Sequence, residues 1–292
     1  MVDQTPREWK GEAPDRTFDG YIFDLDGTLL LGDSLLPGAK RLIDGLLALD
    51  RRVIYVTNNP TKRPDDVVAR LLRDGLPATP ETVVNTITTT IAWLKAHAAD
   101  AVVFPIAERP LIEALAEANI RMSDVPEEID LILASYDRTF DYRKLQIAFD
   151  AIHLYGRARL IATNPDRYCP MPGGRGEPDA AAIVGAIEGC TGIRCERHFG
   201  KPDVFMLETA MQQMGLKVED CLMVGDRLTT DIRMAIHAGM SSALPLTGET
   251  TVQTLTQVDP ADRPTYVIDR IDQIVPDSVW RDLELNADTT RS

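Results

Sequence analysis

Hydrophobic positions along the chain fall into short continuous runs that alternate with amphipathic stretches. Tyr21-Ile22-Phe23, Val53-Ile54-Tyr55-Val56, Leu131–Ala134 and Cys221–Val224 are apolar throughout and end on polar or glycine residues. Runs of this length predict strands buried on both faces, as in parallel sheets. Further short strands are expected at Ala101–Pro105, Leu160–Thr163, Ala243–Leu246 and Tyr266–Ile268. Between them, apolar residues recur at helical spacing. Helices are expected from about Pro37 to Ala48, Asp65 to Arg73, Thr86 to Ala96, Arg109 to Ala118, Tyr142 to Tyr155 and Asp179 to Gly189. Another, starting after Pro202, carries Val204, Leu207, Met211 and Met214 on one face, best read as core packing. The stretch from Pro170 to Pro178 is rich in Gly and Pro and reads as irregular. Such alternation of strands and helices predicts an α/β fold, a doubly wound, mainly parallel sheet. The pattern restarts near residue 99 with its own strands and helices and returns near 196. The organisation expected is therefore a discontinuous core, 16–98 and 196–280, an inserted α/β domain, 99–195, and flexible termini at 1–15 and 281–292.

In open α/β sheets, chemistry sits outside the carboxyl ends of the strands. Four strand ends or helix starts carry polar residues: Asp24-Leu25-Asp26-Gly27-Thr28, Thr57-Asn58-Asn59, Gly200-Lys201-Pro202, and Gly225-Asp226-Arg227 with Asp231. Each alone has an ordinary reading, since Asp-Gly and Asn-Pro are common in turns and Asp caps helices. Together they supply a nucleophile, an acid, cation ligands and phosphoryl-oxygen donors, the inventory that phosphoryl transfer needs. The carboxylates are hard ligands suited to Mg²⁺.

Composition narrows the partners. The 292-residue chain is 44% hydrophobic and carries a net charge of −14. That charge opposes binding to nucleic acid or an anionic membrane, yet permits a small anionic substrate held locally. No apolar run is long enough to span a bilayer, and the polar opening residues lack a signal-peptide core. With no zinc-ligand spacing among them, the four cysteines are expected to be free thiols in a cytoplasmic protein. No G-x-G-x-x-G follows the first strand, which disfavours a nicotinamide dehydrogenase. A signalling receiver module is usually shorter and has no such insertion.

The four motifs resemble those of the haloacid dehalogenase superfamily of phosphohydrolases. Ala162-Thr163-Asn164-Pro165-Asp166 and Leu246-Thr247-Gly248, with the inserted domain, are similar to its NagD-like, p-nitrophenylphosphatase subgroup. The resemblance implies a Rossmann-like core with a C2-type α/β cap. It implies Asp24 as nucleophile through an aspartyl-phosphate, Asp26 as acid and then base, and Lys201 as a catalytic cation. Thr57, Asn58, Asn59 and Lys201 would hold the phosphoryl group. Mg²⁺ would be held by Asp24, the Asp26 carbonyl and Asp226, with Asp231 behind them. True dehalogenases lack the second aspartate, so Asp26 favours phosphate chemistry. Pyridoxal-phosphate-cleaving members place a substrate-contacting histidine where this chain has Cys169, which weakens that assignment. Arg167, Tyr168 and Tyr136 to Arg138 are further candidates to face the substrate. The expected substrate is a small phosphate monoester, a sugar or polyol phosphate first, with p-nitrophenyl phosphate as a test substrate. Pyridoxal phosphate, a nucleoside monophosphate, or a catalytically silent binding protein are the alternatives. Pairing of two copies through the cap stays open.

Overall fold

A computed structural model describes residues 12–32, 34–171 and 174–289. In chain order the strands and helices are β1 (Gly20–Asp24), β2 (Leu30–Leu31), β3 (Ser34–Leu35), α1 (Ala39–Ala48), β4 (Arg52–Thr57), α2 (Pro64–Arg73), β5 (Val83–Asn85) and α3 (Thr86–His97). Then come β6 (Val103–Ile106), α4 (Arg109–Glu117), β7 (Leu131–Ala134), α5 (Tyr142–Phe149), β8 (Arg159–Ala162), β9 (Tyr168–Met171), β10 (Arg175–Pro178), α6 (Ala180–Thr191) and β11 (Arg197–His198). The last are α7 (Phe205–Met214), β12 (Cys221–Val224), α8 (Arg233–Ala238), β13 (Ser241–Pro245), α9 (Val252–Thr256), β14 (Tyr266–Ile268) and α10 (Asp277–Thr289).

The chain divides into two compact units. The first comprises the chain through Tyr55, Arg73–Pro77, and everything from Ala210 on; the second comprises Val56–Leu72 and Ala78–Thr209. In the first unit β1 lies at the heart of a sheet ordered β14-β13-β12-β1-β4. β1, β12, β13 and β14 run parallel to one another. The side chains of Tyr21, Ile22 and Phe23 are fully buried, as a strand covered on both faces requires. β4 carries on past Tyr55 into the second unit, which also holds β5.

The second unit has a four-stranded sheet of its own, β11-β8-β7-β6, all parallel. One of its cores joins Ile132, Ala134, Leu160 and Ala162 to Ala148 and Ile152 of the α5 region and to Ile183, Val184 and Ile187 of α6. Leu145, Ala148 and Ile152, spaced to share one face of a helix, pack into that cluster. The helix loosens sooner than expected, because α5 stops at Phe149 and a π-helical turn covers Asp150–Leu154.

One expectation is overturned. Much of the Gly/Pro-rich stretch from Pro170 to Pro178 is an antiparallel ribbon, β9 on β10, with Cys169 opposite Glu177 and Tyr168 opposite Pro178. A two-stranded ribbon has two free edges, so its prolines leave no central ladder bond unmade. At the carboxyl end, α10 runs through Thr289, well into the 281–292 segment read as flexible. Of the opening 1–15 segment, 1–11 lies outside the described residues. All four cysteines are free, and no described helix is long and apolar enough to cross a membrane.

Asp179 caps α6, its Oδ1 accepting from the Ala180 amide at 2.6 Å. It is 5% exposed. Burial, helped by the nearby Asp166 charge, pushes its carboxyl up to about 6 from an ordinary 3.8. A raised carboxyl pKa means that the folded chain holds the proton more tightly than the unfolded chain. Its stabilising effect is therefore complete below about pH 4 and is lost as pH rises through about 6. Asp179→Asn keeps the cap without the charge. It is expected to match wild type in urea unfolding at pH 4 and to exceed it by roughly 1–3 kcal/mol at pH 7.5. Equal stability at pH 7.5 would refute the buried charge as the cause.

Candidate active site

In the first unit, two adjacent parallel strands deliver the carboxylates. β1 and β12 pair Gly20 with Cys221 through Phe23 with Val224, so Asp24 and the Gly225-Asp226 turn emerge at the same sheet end. Asp24, Asp226 and Asp231 are all buried, and a carboxylate oxygen of each lies within 4.8 Å of the others. Asp231 arrives there because Leu228–Ile232 forms a π-helical turn, closed by Ile232 N–H donating to the Arg227 carbonyl at 3.1 Å. That wider turn lets Asp231 Oδ2 accept from the Arg227 amide at 3.2 Å and the Thr230 hydroxyl at 3.3 Å.

The surroundings fix Asp226 as tightly. Its Oδ2 accepts from the Glu249 amide at 2.6 Å, and its carbonyl accepts from the Thr250 hydroxyl at 2.6 Å. The Thr247 hydroxyl donates to the Gly27 carbonyl at 2.8 Å, tying the 246–250 loop to the turn after β1. Gly27 has a φ of +94°, and a Cβ there would stand 2.6 Å from Asp226 Oδ2. A Cβ on Gly248 would overlap the same carboxylate, and one on Gly225 would overlap that of Asp231. These glycines let the backbone approach acidic side chains that bulkier residues would displace. Three buried carboxylates this close repel one another unless protons or a cation intervene. An all-oxygen, acidic, buried donor set suits a hard divalent ion, so the residues present fit Mg²⁺. Asp26 follows on the same turn with an exposed side chain, its backbone bridged to Leu30.

In the second unit, Thr57 and Lys201 are buried and Asn58 and Asn59 half-buried. Asn58 Nδ2 donates to Asp166 Oδ2 at 2.9 Å and to the Lys201 carbonyl at 3.1 Å. Its Oδ1 accepts from the Lys201 amide at 2.7 Å. Asn59 Oδ1 takes the amide and hydroxyl of Thr61 at 2.8 and 2.7 Å. The Thr57 hydroxyl accepts from the Asn59 amide at 3.2 Å. The amide groups of Asn58 and Asn59 thus shape their own loops.

Residues 21–121 match a haloacid dehalogenase-like hydrolase model, and 198–274 match a second, HAD-hydrolase-like one. The chain is 34% identical over 229 residues to sugar-phosphatase AraL of Bacillus subtilis, spanning 78% of this chain and 83% of the relative. It is 31% identical over 261 residues to the 5′-nucleotidase YutF of the same organism, spanning 89% and 99%. Among solved structures, a 4-nitrophenylphosphatase from Thermotoga maritima superposes with a TM-score of 0.81 at 30% identity, covering 88% of this chain and 96% of that one. The chain belongs to the haloacid dehalogenase-like hydrolases. Within them it is a NagD-like phosphatase.

For a phosphatase of this family, the motif residues fall into two sets. Asp24, Asp26, Asp226 and Asp231 belong to the first unit, and Thr57, Asn58, Asn59, Lys201 and Cys169 to the second. Asp231, expected behind the cation ligands, has its own carboxylate in the cluster, whereas the Asp26 side chain does not. Cys169 is half-buried in β9. Tyr136 is buried and donates its hydroxyl to Glu177, while Arg138 binds Glu108 at 2.6 Å, so both are engaged by acidic neighbours. Asp166 and Gly248 fall in the two stretches that resemble the NagD-like subgroup, but the sequence does not show that Asp166 bonds Asn58 or that Gly248 makes room for the Asp226 carboxylate.

Proposed function

We propose that this phosphatase hydrolyses a small sugar or polyol phosphate, using Asp24 as nucleophile and Asp26 as proton donor and acceptor. The observation that carries the reading is the convergence of buried Asp24, Asp226 and Asp231. One hard divalent ion, Mg²⁺ first, would be held there and would offset negative charge on the cluster and on the substrate's phosphoryl oxygens. Asp24 attacks phosphorus, the bond to the leaving oxygen breaks, and Asp26 gives that oxygen its proton. Asp26 then takes a proton from the water that cleaves the aspartyl-phosphate, returning Asp24 as a carboxylate and releasing phosphate. Thr57 and Lys201 bind phosphoryl oxygens, and Asn58 and Asn59 hold the loops that bear them.

The sugar-phosphatase relatives and the net charge of −14, which disfavours polyanionic macromolecules, support the substrate class. The similarity to YutF favours a nucleoside monophosphate as the second reading. Released phosphate across sugar phosphates, glycerol phosphate, nucleoside monophosphates, pyridoxal phosphate and a phosphopeptide, with and without a chelator, tests both. We expect sugar or polyol phosphates to lead in kcat/KM and activity to vanish on chelation, returning with Mg²⁺. A tenfold lead for a nucleotide, pyridoxal phosphate or peptide, about 1.4 kcal/mol of transition-state preference, overturns the substrate assignment. Activity surviving exhaustive chelation overturns the metal requirement.

A further inference from the structure

We infer that Asp166 is a positioning residue for the phosphate-binding loop: acting through the Asn58 side chain, it sets the main chain of Lys201. This rests on the reading of Lys201 as a phosphoryl ligand. β8 and β11 are parallel neighbours, Ile161 beside Arg197 and Ala162 beside His198. The loops that follow them, 163–167 and 199–203, therefore leave the sheet at the same end. The Phe199 amide donates to the Ala162 carbonyl at 3.1 Å, and the Thr89 hydroxyl donates to the Phe199 carbonyl at 2.8 Å.

Asn58 sits between these loops with its polar groups committed. Its carbonyl accepts from the Thr86 hydroxyl at 3.1 Å and from Asn164 Nδ2 at 3.2 Å. Its side chain brackets Lys201, accepting from the amide at 2.7 Å and donating to the carbonyl at 3.1 Å. A carboxamide can do this in one orientation only. Flipped, it would set its NH₂ against the Lys201 N–H and its oxygen against the Lys201 carbonyl. Asp166 enforces the correct face, because an ionised carboxylate only accepts, and its Oδ2 takes Asn58 Nδ2 at 2.9 Å. Asp166 is in turn fixed by its amide donating to Asn164 Oδ1 at 2.9 Å and by its carbonyl accepting from Ala181 at 3.1 Å. Gly200 completes the fit, since a Cβ there would lie 2.5 Å from Asn58 Oδ1. The loop that governs Lys201 also runs directly into β9, which carries Tyr168 and Cys169. The second unit thus joins its lysine loop to the segment holding candidate specificity residues through one hydrogen-bonded carboxamide.

The test measures affinity for inorganic phosphate by calorimetry in excess Mg²⁺, beside KM and kcat for p-nitrophenyl phosphate. Asp166→Ala is expected to weaken phosphate binding and raise KM by about tenfold, the worth of a charge-assisted hydrogen bond, with kcat within about threefold of wild type. Asp166→Asn retains an acceptor oxygen and is expected to recover most of that loss. Unchanged phosphate affinity in Asp166→Ala, or an Asp166→Asn as impaired as the alanine, overturns the inference. Should Asp166→Ala fail to fold, Asp166→Ser carries the same comparison. Lys201→Ala separates the two levels. If it leaves phosphate affinity unchanged, the reading of the lysine falls. If it weakens phosphate binding while Asp166→Ala does not, only the relay falls.

Discussion

A folded Asp24→Asn variant is expected to release no phosphate above background, a loss of at least ~10⁴-fold, or more than about 5 kcal/mol of barrier. An amide oxygen cannot become an acyl phosphate by attack on phosphorus, so no slower version of the same route remains. The substitution is nearly isosteric, and β1 is buried along its whole length, so the strand keeps its place. Removing one of three like charges that lie within 4.8 Å of one another has a second consequence. In the absence of divalent ions the variant is expected to melt at a higher temperature than wild type, because the folded state sheds repulsion. Acid quenching during turnover of phosphate-labelled substrate would leave label on wild type and none on the variant. Appreciable turnover by Asp24→Asn rules out the covalent route. A lower melting temperature without metal rules out repulsion within the cluster.

Asp26→Asn is expected to lower kcat by ~10²–10⁴-fold on an alkyl phosphate, the usual contribution of a positioned general acid and base. The Asp26 side chain is exposed and outside the carboxylate cluster, which leaves it available for proton exchange with water. Its departure should matter less when the leaving group needs no proton. The loss on p-nitrophenyl phosphate is therefore expected to be at least tenfold smaller than on glycerol phosphate when formation of the intermediate limits both. Equal losses on the two esters would remove Asp26 from the proton-transfer role.

The strands Leu131–Ala134, Cys221–Val224 and Tyr266–Ile268 were legible to the residue, because continuous apolar runs closed by polar residues admit few other readings. The carboxylates Asp24 and Asp226 were legible for the same reason, as each stands just past such a run. What stayed hidden depends on pairing across distance. The apolar run of β9 is broken by Pro170, and β10 has neither alternation nor an apolar run, so their mutual register is what makes them strands. The five-residue offset from Asp226 to Asp231 suits no ordinary helix face, and the π-helical turn that brings Asp231 in has no sequence signature. The use of the Asn58 amide follows from the β8–β11 register, which joins residues 36 positions apart and leaves no local trace.

The pairing of Gly20–Phe23 with Cys221–Val224 spans about two hundred residues and sets an order on synthesis. A nascent chain that has emerged only as far as Thr209 contains all of β6, β7, β8 and β11, whose contacts are comparatively local. It lacks β12, the neighbour that β1 needs, as well as Asp226 and Asp231. Local contacts close sooner than distant ones. On the ribosome the middle of this chain is thus free to settle while its first strand, with β4 already made as one neighbour, waits for the last quarter of the message to supply the other. The nucleophile-bearing strand is made early while its pairing with β12 closes late, which makes that open edge of β1 a natural point of chaperone contact during translation.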